Sequence, residues 1–300
     1  MALNASGGTR LMGLAALEVF RSLDCPVFYV DPHHDRLSGV YPPGTTEVQL
    51  NRRVPISTLL QCAGVQMPEC GAPPIPAKYR YFATELLSNI RHYGEALGML
   101  DWSASTAVGS LQSRPLESWH LAARPFIELL DRLRELDLAR VVNRQRQFYD
   151  ETARYFANGG WLQQYVVASV EALRERLPAI QDVAQGLQLV TDQGVRHQAD
   201  VAVLMDNRLH LIECRPKLLR KGNAGSGAQT LYKLDTLAPL LDTLSARGML
   251  LSYRPLRDVD VRRAGELGLV VVQERQLQNL EGYLEQWLRA AESHNTLIRS

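Results

Sequence analysis

The chain has 300 residues, 46% of them hydrophobic and 22% charged, with a mean hydropathy of -0.16. This excludes a disordered chain, a collagen-like repeat and a membrane-spanning bundle, and no apolar run approaches the roughly 20 residues that a membrane span needs. With 33 Lys and Arg against 32 Asp and Glu the net charge is +1, too small an excess for a protein that coats nucleic acid non-specifically, so any nucleic-acid site is local. Cys25, Cys62, Cys70 and Cys214 form no C-x-x-C pair. With no secretory signal, they point to a reduced, cytoplasmic setting.

A glycine turn, Ser6-Gly7-Gly8-Thr9, sits almost at the start of the chain. Leu11 to Leu23 then carries apolar residues at helical spacing behind cap chemistry, and Pro26 to Asp31 reads as a buried strand. Turn, helix, strand is α/β grammar. Residues 46–50 suit another strand and 56–62 a short helix. The Pro/Gly-dense stretch 66–77 reads as a domain exit. Helical patterns fill 79–99 and 116–138, giving a connector that is helical or winged-helix-like. Asn158-Gly159-Gly160 opens a helix whose apolar stripe is Leu162, Val166, Val170, Leu173 and Leu177. Strands are expected over 183–190, 199–205 and 209–214, the last two joined by a tight Asp206-Asn207 hairpin turn. A basic, glycine-rich stretch, 217–227, precedes a helix bearing Leu231, Leu234, Leu237, Leu241 and Leu244. A strand (249–252), a helix (259–267), a strand (269–272) and a last helix (277–291) follow.

Two of these strands each carry an acid among apolar residues: Ala199-Asp200-Val201 and Ile212-Glu213-Cys214. Burying a lone carboxylate is costly unless it is paired or holds a metal. On adjoining arms of a hairpin the two acids can converge on one divalent cation, and their hard oxygens suit Mg²⁺ or Mn²⁺. Arg215, two residues after Glu213, could steady the charge of a reacting phosphate. The bland alternative is a strand edge with Glu213 paired to a nearby Arg. His33-His34-Asp35 could bind metal but equally suits a solvated loop. Trp161 and Tyr165 suit packing rather than base stacking, and Cys214 a small buried hydrophobe.

Four words decide between these readings: Asn-Gly-Gly-Trp-Leu-Gln-Gln-Tyr-Val at 158–166, His-Gln-Ala-Asp-Val at 197–201, Leu-Ile-Glu-Cys-Arg at 211–215 and Leu-Tyr-Lys-Leu at 231–234. Together with Leu-Asn-Ala-Ser-Gly-Gly-Thr-Arg-Leu-Met at 3–12, they resemble the CARF-domain ancillary nucleases of type III CRISPR systems, the Card/Can group with a PD-(D/E)XK endonuclease-like domain. The resemblance covers both ends of the chain and is weak in the middle. It implies a Rossmann-like CARF sensor over 1–65, a connector over 66–157 and a restriction-endonuclease-like domain over 158–300. It also implies a cyclic oligoadenylate, cyclic tetra-adenylate first, bound by a homodimer that cleaves DNA or RNA with Mg²⁺ or Mn²⁺. Ser6, Gly7, Gly8, Thr9 and Arg10 would line the ring-ligand pocket, where glycines let backbone N–H groups approach phosphate at a helix start. Asp200 and Glu213 would hold metal, Arg215 or Lys217 would supply the catalytic cation, and Arg220, Lys221 and Lys233 would grip nucleic acid.

The departures from that pattern cluster at the site. Gln163, Gln164 and Gln198 stand where the family has glutamates, and Arg215 followed by Pro216 stands where it has lysine. An amide offers a carbonyl oxygen but no charge. Arginine is a planar cation that stays protonated and does not simply replace lysine. The competing expectation is therefore a catalytically impaired relative acting as a binding or regulatory module. The glycine turn also begins so close to Met1 that the CARF sheet is expected to be shortened.

Overall fold

The computed structural model describes residues 1–31, 36–44, 47–50, 54–68, 76, 78–190, 194, 196–215 and 246–297, with the backbone alone at 215 and 291–297. The readings of His33, His34, Asp35, Cys70, Lys217, Arg220, Lys221, Lys233 and the helix through 231–244 lie outside these residues. The chain divides into two compact units, Met1–Val54 and Pro55–Ser300.

In the first unit β1 (Leu3–Asn4), α1 (Arg10–Ser22), β2 (Val27–Asp31), β3 (Arg36–Tyr41) and β4 (Val48–Gln49) follow one another. The sheet runs β1-β2-β3-β4, with β1 parallel to β2 and the remaining pairs antiparallel. The sequence pattern gave no sign of β1, which has two residues, or of β3, whose Ser38 and Gly39 are weak strand formers. Thr9 starts α1 in extended backbone, its Oγ1 accepting the Met12 N–H at 3.3 Å, as an N-cap should.

In the second unit α2 (Ile56–Cys62) matches its expected span. Its start is fixed from far along the chain, the Ile56 N–H donating to Asp182 Oδ2 at 2.8 Å. The expected helix over 79–99 is instead two, α3 (Lys78–Ser88) and α4 (Ile90–Thr106), broken at Asn89 with φ -109° and ψ 26°. Then come α5 (Ser118–Ala122), α6 (Arg124–Glu135) and a hairpin, β5 (Ala139–Val142) with β6 (Gln145–Phe148). Residues 111–116 run beside β6: Phe148 N–H donates to Leu111 O and Ser113 N–H to Arg146 O, both at 2.8 Å. Helix, strand segment, two helices and a hairpin is the element order of a winged helix. The hairpin escaped the sequence reading because Arg140, Gln145, Arg146 and Gln147 are poor strand signals, one of them fully buried.

The remainder is α7 (Glu151–Tyr155), α8 (Trp161–Leu173), β7 (Ile180–Val190), β8 (Arg196–Met205), β9 (Arg208–Arg215), β10 (Arg247–Ser252), α9 (Asp258–Glu266), β11 (Val270–Gln273) and α10 (Leu280–Leu297). Among the described residues they build a five-stranded sheet in the order β11-β10-β9-β8-β7. The hairpin pairs β7-β8 and β8-β9 are antiparallel, and β9-β10 and β10-β11 are parallel. One face packs on α8 through Leu162, Val166 and Val170 against Val201, Val203 and Ile212, in a core that continues into Phe82, Leu97, Phe126 and Phe148 of the winged-helix segment. The other face takes Ile56 and Leu60 of α2 against Leu187, Leu189, Leu204 and Leu211. The compact units divide at 54/55, and Ile56, Leu60 and Val65 are buried in this second cluster. Full burial of one such side chain is worth about 1.5–3 kcal/mol. Among the described residues no helix is long and apolar enough to cross a membrane.

Candidate active site

The site begins with a kink. Between α7 and α8, within Phe156–Gly160, the backbone leaves helical values at Asn158 and Gly159, the latter at φ 96°, a left-handed value that glycine adopts at little cost. Gly160 is needed for a second reason. A Cβ there would lie 2.6 Å from the Tyr155 ring and 2.7 Å from the Tyr155 carbonyl. The Asn-Gly-Gly word thus seats the Tyr155 ring against the start of α8, one turn before Gln163 and Gln164.

The facing strands are irregular at a matching place. Pairing of β7 with β8 runs through Gln185↔Val201 and Leu187↔Ala199, leaving out Gly186 and Asp200 between them. Gly186 has φ 65°. The alternation of faces changes phase here, since Ala184 and Ala202 pack with Leu187, Leu189 and Ala199 although they are an odd number of residues apart. On the other side the β8–β9 ladder ends at Val201↔Ile212. Asp200 is thereby released from regular pairing, and its carboxylate takes the place of a main-chain acceptor. The Cys214 N–H donates to Asp200 Oδ2 at 2.8 Å, and Gln163 Nε2 donates to Asp200 Oδ1 at 2.9 Å.

Two further side chains extend this contact. The Tyr155 hydroxyl donates to Gln163 Oε1 in a short hydrogen bond, and Gln185 Nε2 donates to Tyr155 Oη at 3.5 Å. Burial pushes the Tyr155 hydroxyl up to about 12, the Gln185 bond opposing and the Asp200 charge reinforcing the shift. It is a neutral donor at physiological pH. Glu213 is 4% exposed on β9, opposite Leu250 of β10, and Gln163 and Gln164 are 8% and 9% exposed. Burial raises the Cys214 thiol, and the charges of Asp200 and Glu213 raise it further. Cys214 is therefore a protonated, buried hydrophobe and no nucleophile.

The expected hairpin is present: Asp206 and Asn207 have φ 49° and 57°, the paired positive values of a type I′ turn. Asp200 and Glu213 thus stand on adjoining strands, with Gln163 meeting Asp200 from α8. Gln198, two residues before Asp200, is exposed, and Arg215 is described by its backbone alone. Trp161 is buried at 1% and Tyr165 packs against the same core, as their helical spacing implied. Sequence reasoning missed Tyr155 and Gln185. The only signal for Tyr155 was its place before the glycine pair, and Gln185 has none.

In the first unit Gly8 has φ 84° and a Cβ on Gly7 would meet nothing within 4 Å. Ser6 Oγ donates to Asn4 Oδ1 and accepts the Val30 N–H, each at 2.6 Å. Its hydroxyl ties the glycine turn to β2, a structural duty that the sequence did not show. Thr9 caps α1, and Arg10 is exposed at its first turn.

The chain matches the Card1-like endonuclease domain over residues 150–291. No curated protein matches it. Among solved structures it resembles protein VC1899 from Vibrio cholerae, with 36% identity and a TM-score of 0.79 over 97% of this chain and 76% of that one. It also resembles Can2 from Sulfobacillus thermosulfidooxidans, solved in complex with cyclic tetra-adenylate, with 25% identity and a TM-score of 0.67 over 96% and 75% of the two chains. A relative this similar over nearly the whole chain, together with the endonuclease-domain match and the α/β architecture, places the protein in the Card1-like family, the CARF-domain ancillary nucleases of type III CRISPR systems.

Proposed function

We propose that the protein is a cyclic-oligoadenylate-responsive, metal-dependent nuclease whose cleavage site is built on Asp200 and Glu213. The observation that carries this reading is the interruption of the sheet at Asp200. Two strands leave regular pairing together and a helix kinks, and the result is a half-buried carboxylate next to a second, buried acid on the adjoining strand. Burying acids in a core costs free energy unless they serve an ion or a partner.

The donor set fits a hard divalent cation. Asp200 and Glu213 offer carboxylate oxygens and Gln164 an amide oxygen, the chemistry that Mg²⁺ and Mn²⁺ prefer, while Gln163 turns its N–H to Asp200 and its oxygen to Tyr155. Only two of these four groups carry charge, and among the described residues no group of three His, Cys, Asp or Glu gathers for a metal. The affinity should therefore be modest. A cation bound there would supply Lewis-acid polarisation of a phosphodiester. The protein's own part is to hold Asp200 by the Cys214 N–H, to aim Gln163 at it, and to keep Cys214 protonated and inert. Arg215, Lys217, Arg220, Lys221 and Lys233 are the proposed cations for phosphate and strand contact. In the first unit, Gly7, Gly8 and the N-terminus of α1 suit an anion's approach. The Can2 relative solved in complex with cyclic tetra-adenylate supports that ligand, with Ser6, Thr9 and Arg10 completing the proposed pocket and Ser6 also tying the turn to β2.

The test is to incubate the protein with cyclic tetra-adenylate, Mn²⁺ and single- and double-stranded DNA and RNA. Cleavage that needs the ring nucleotide and disappears in Glu213→Gln is the expected result. The hydrogen bond from Gln163 to Asp200 favours a second reading, a catalytically silent regulator, because an amide N–H rather than an oxygen faces the carboxylate. Under that reading no cleavage occurs until Gln163→Glu, Gln164→Glu, Gln198→Glu and Arg215→Lys are introduced together.

A further inference from the structure

We infer that Tyr155 is a positioning residue that decides which end of the Gln163 amide faces Asp200, and thereby sets how strongly the site takes a divalent cation. The inference rests on the metal reading above and adds Tyr155 and Gln185, which that reading does not use.

Four side chains form a hydrogen-bond chain with a single direction. Gln185 Nε2 donates to Tyr155 Oη, Tyr155 Oη donates to Gln163 Oε1, and Gln163 Nε2 donates to Asp200 Oδ1. A hydroxyl has one proton to give, and a primary amide has a distinct donor end and acceptor end. Because Gln185 already donates into the Tyr155 oxygen, the tyrosine proton is directed to Gln163 Oε1. That turns the other end of the amide, its N–H, toward Asp200. Bonds aligned in this way polarise one another and reinforce the arrangement.

This orientation opposes a cation. The positive end of the amide, not its oxygen, faces the carboxylate. For Gln163 to present its oxygen instead, the amide must rotate by half a turn, and Tyr155 Oη must then accept from both Gln163 and Gln185. The tyrosine proton would lose its acceptor in a buried setting, which carries a free-energy cost. Tyr155 is fixed in place by the kink, since its ring fills the space that a Cβ on Gly160 would take.

Removing only the hydroxyl, by Tyr155→Phe, leaves the ring against Gly160 and withdraws the constraint. Gln163 Oε1 then gains a partner by turning to the ion, and Mn²⁺ binding should tighten by about tenfold. A glutamate at 163 reverses the sign. In Gln163→Glu the Tyr155 hydroxyl supports a charged ligand, so the added Tyr155→Phe should weaken Mn²⁺ binding by a similar factor. A purely structural role for Tyr155 would shift both backgrounds the same way.

The experiment is a calorimetric titration with Mn²⁺ of the full chain, Tyr155→Phe, Gln163→Glu, the double variant and Asp200→Asn, with a thermal melt of each. Tightening in the native background and weakening in the Gln163→Glu background supports the inference. Asp200-dependent binding that is unchanged or weaker in Tyr155→Phe, or tighter in both backgrounds, overturns it and leaves the metal reading intact. Absence of Mn²⁺ binding in all folded variants, Gln163→Glu included, overturns the metal reading and this inference with it.

Discussion

The Tyr253 hydroxyl donates to Asp101 Oδ2 at 2.8 Å, and both residues are buried, at 3% exposure each. This bond joins α4 of the winged-helix segment to the chain just beyond β10, 152 residues apart. Burial, then the Asp101 charge, holds the tyrosine well above its usual range. Tyr253→Phe removes a donor from a buried carboxylate and should lower stability by about 1–3 kcal/mol, read from the midpoint of urea unfolding. The raised pKa also fixes a pH effect. The unfolded tyrosine ionises near pH 10 and the folded one above that, so this contribution is present below pH 10 and is lost in more alkaline solution.

His210 titrates in the opposite sense. It is fully buried, edge-on to Trp287 with centroids 5.2 Å apart, and burial first, with the Arg247 and Arg208 charges adding to it, pushes it down to about 4. A depressed folded value means that its contribution is present above pH 6.5 and disappears as pH falls through 4. Stability between pH 7 and pH 4 should therefore drop by about 3 kcal/mol from this group. His210→Phe should flatten that part of the profile, measured by denaturant titration at each pH.

Two glycines should respond oppositely to alanine. At Gly160 the added carbon collides with the Tyr155 ring and carbonyl, and the overpacking should cost about 1–3 kcal/mol. At Gly265, within α9, an added carbon meets nothing within 4 Å and should stabilise by about 0.5–1 kcal/mol. Thermal melts of the two variants test both signs at once.

Arg146 is the most unusual buried cation described. It has no exposure, packs its guanidinium 5.1 Å from Phe126 and 5.8 Å from Phe148, and bonds Ser103 Oγ and the Leu100 carbonyl. Among the described residues no carboxylate pairs with it, and burial pushes it down to about 9. Replacing a costly buried charge by an apolar chain of similar length should help, so Arg146→Met should raise stability by about 1 kcal/mol, seen as a higher melting temperature.

Much of the second unit was legible because its signals are local. The stripe of α8, the apolar runs of β8 and β9 and the Asp206-Asn207 turn each declare themselves within a dozen residues, and the two acids stood out against apolar neighbours. What stayed hidden depends on contacts between distant segments. Gln185 gains meaning only because Gly186 breaks the ladder opposite Asp200, and Tyr155 only because Gly160 leaves room for its ring. The hairpin of Ala139–Val142 and Gln145–Phe148 was missed because Arg146, polar in sequence, is apolar in its surroundings.

Asp200 supports the end of β9 as well as belonging to the proposed cleavage site, and the two duties respond to different pressures. An asparagine there keeps an oxygen for the Cys214 amide; an alanine removes it and leaves the end of β9 without its acceptor. Folding alone thus gives a reason to keep an oxygen-bearing residue at this position whether or not the site cuts. Retention of this aspartate among descendants measures the upkeep of a strand end as much as the upkeep of chemistry.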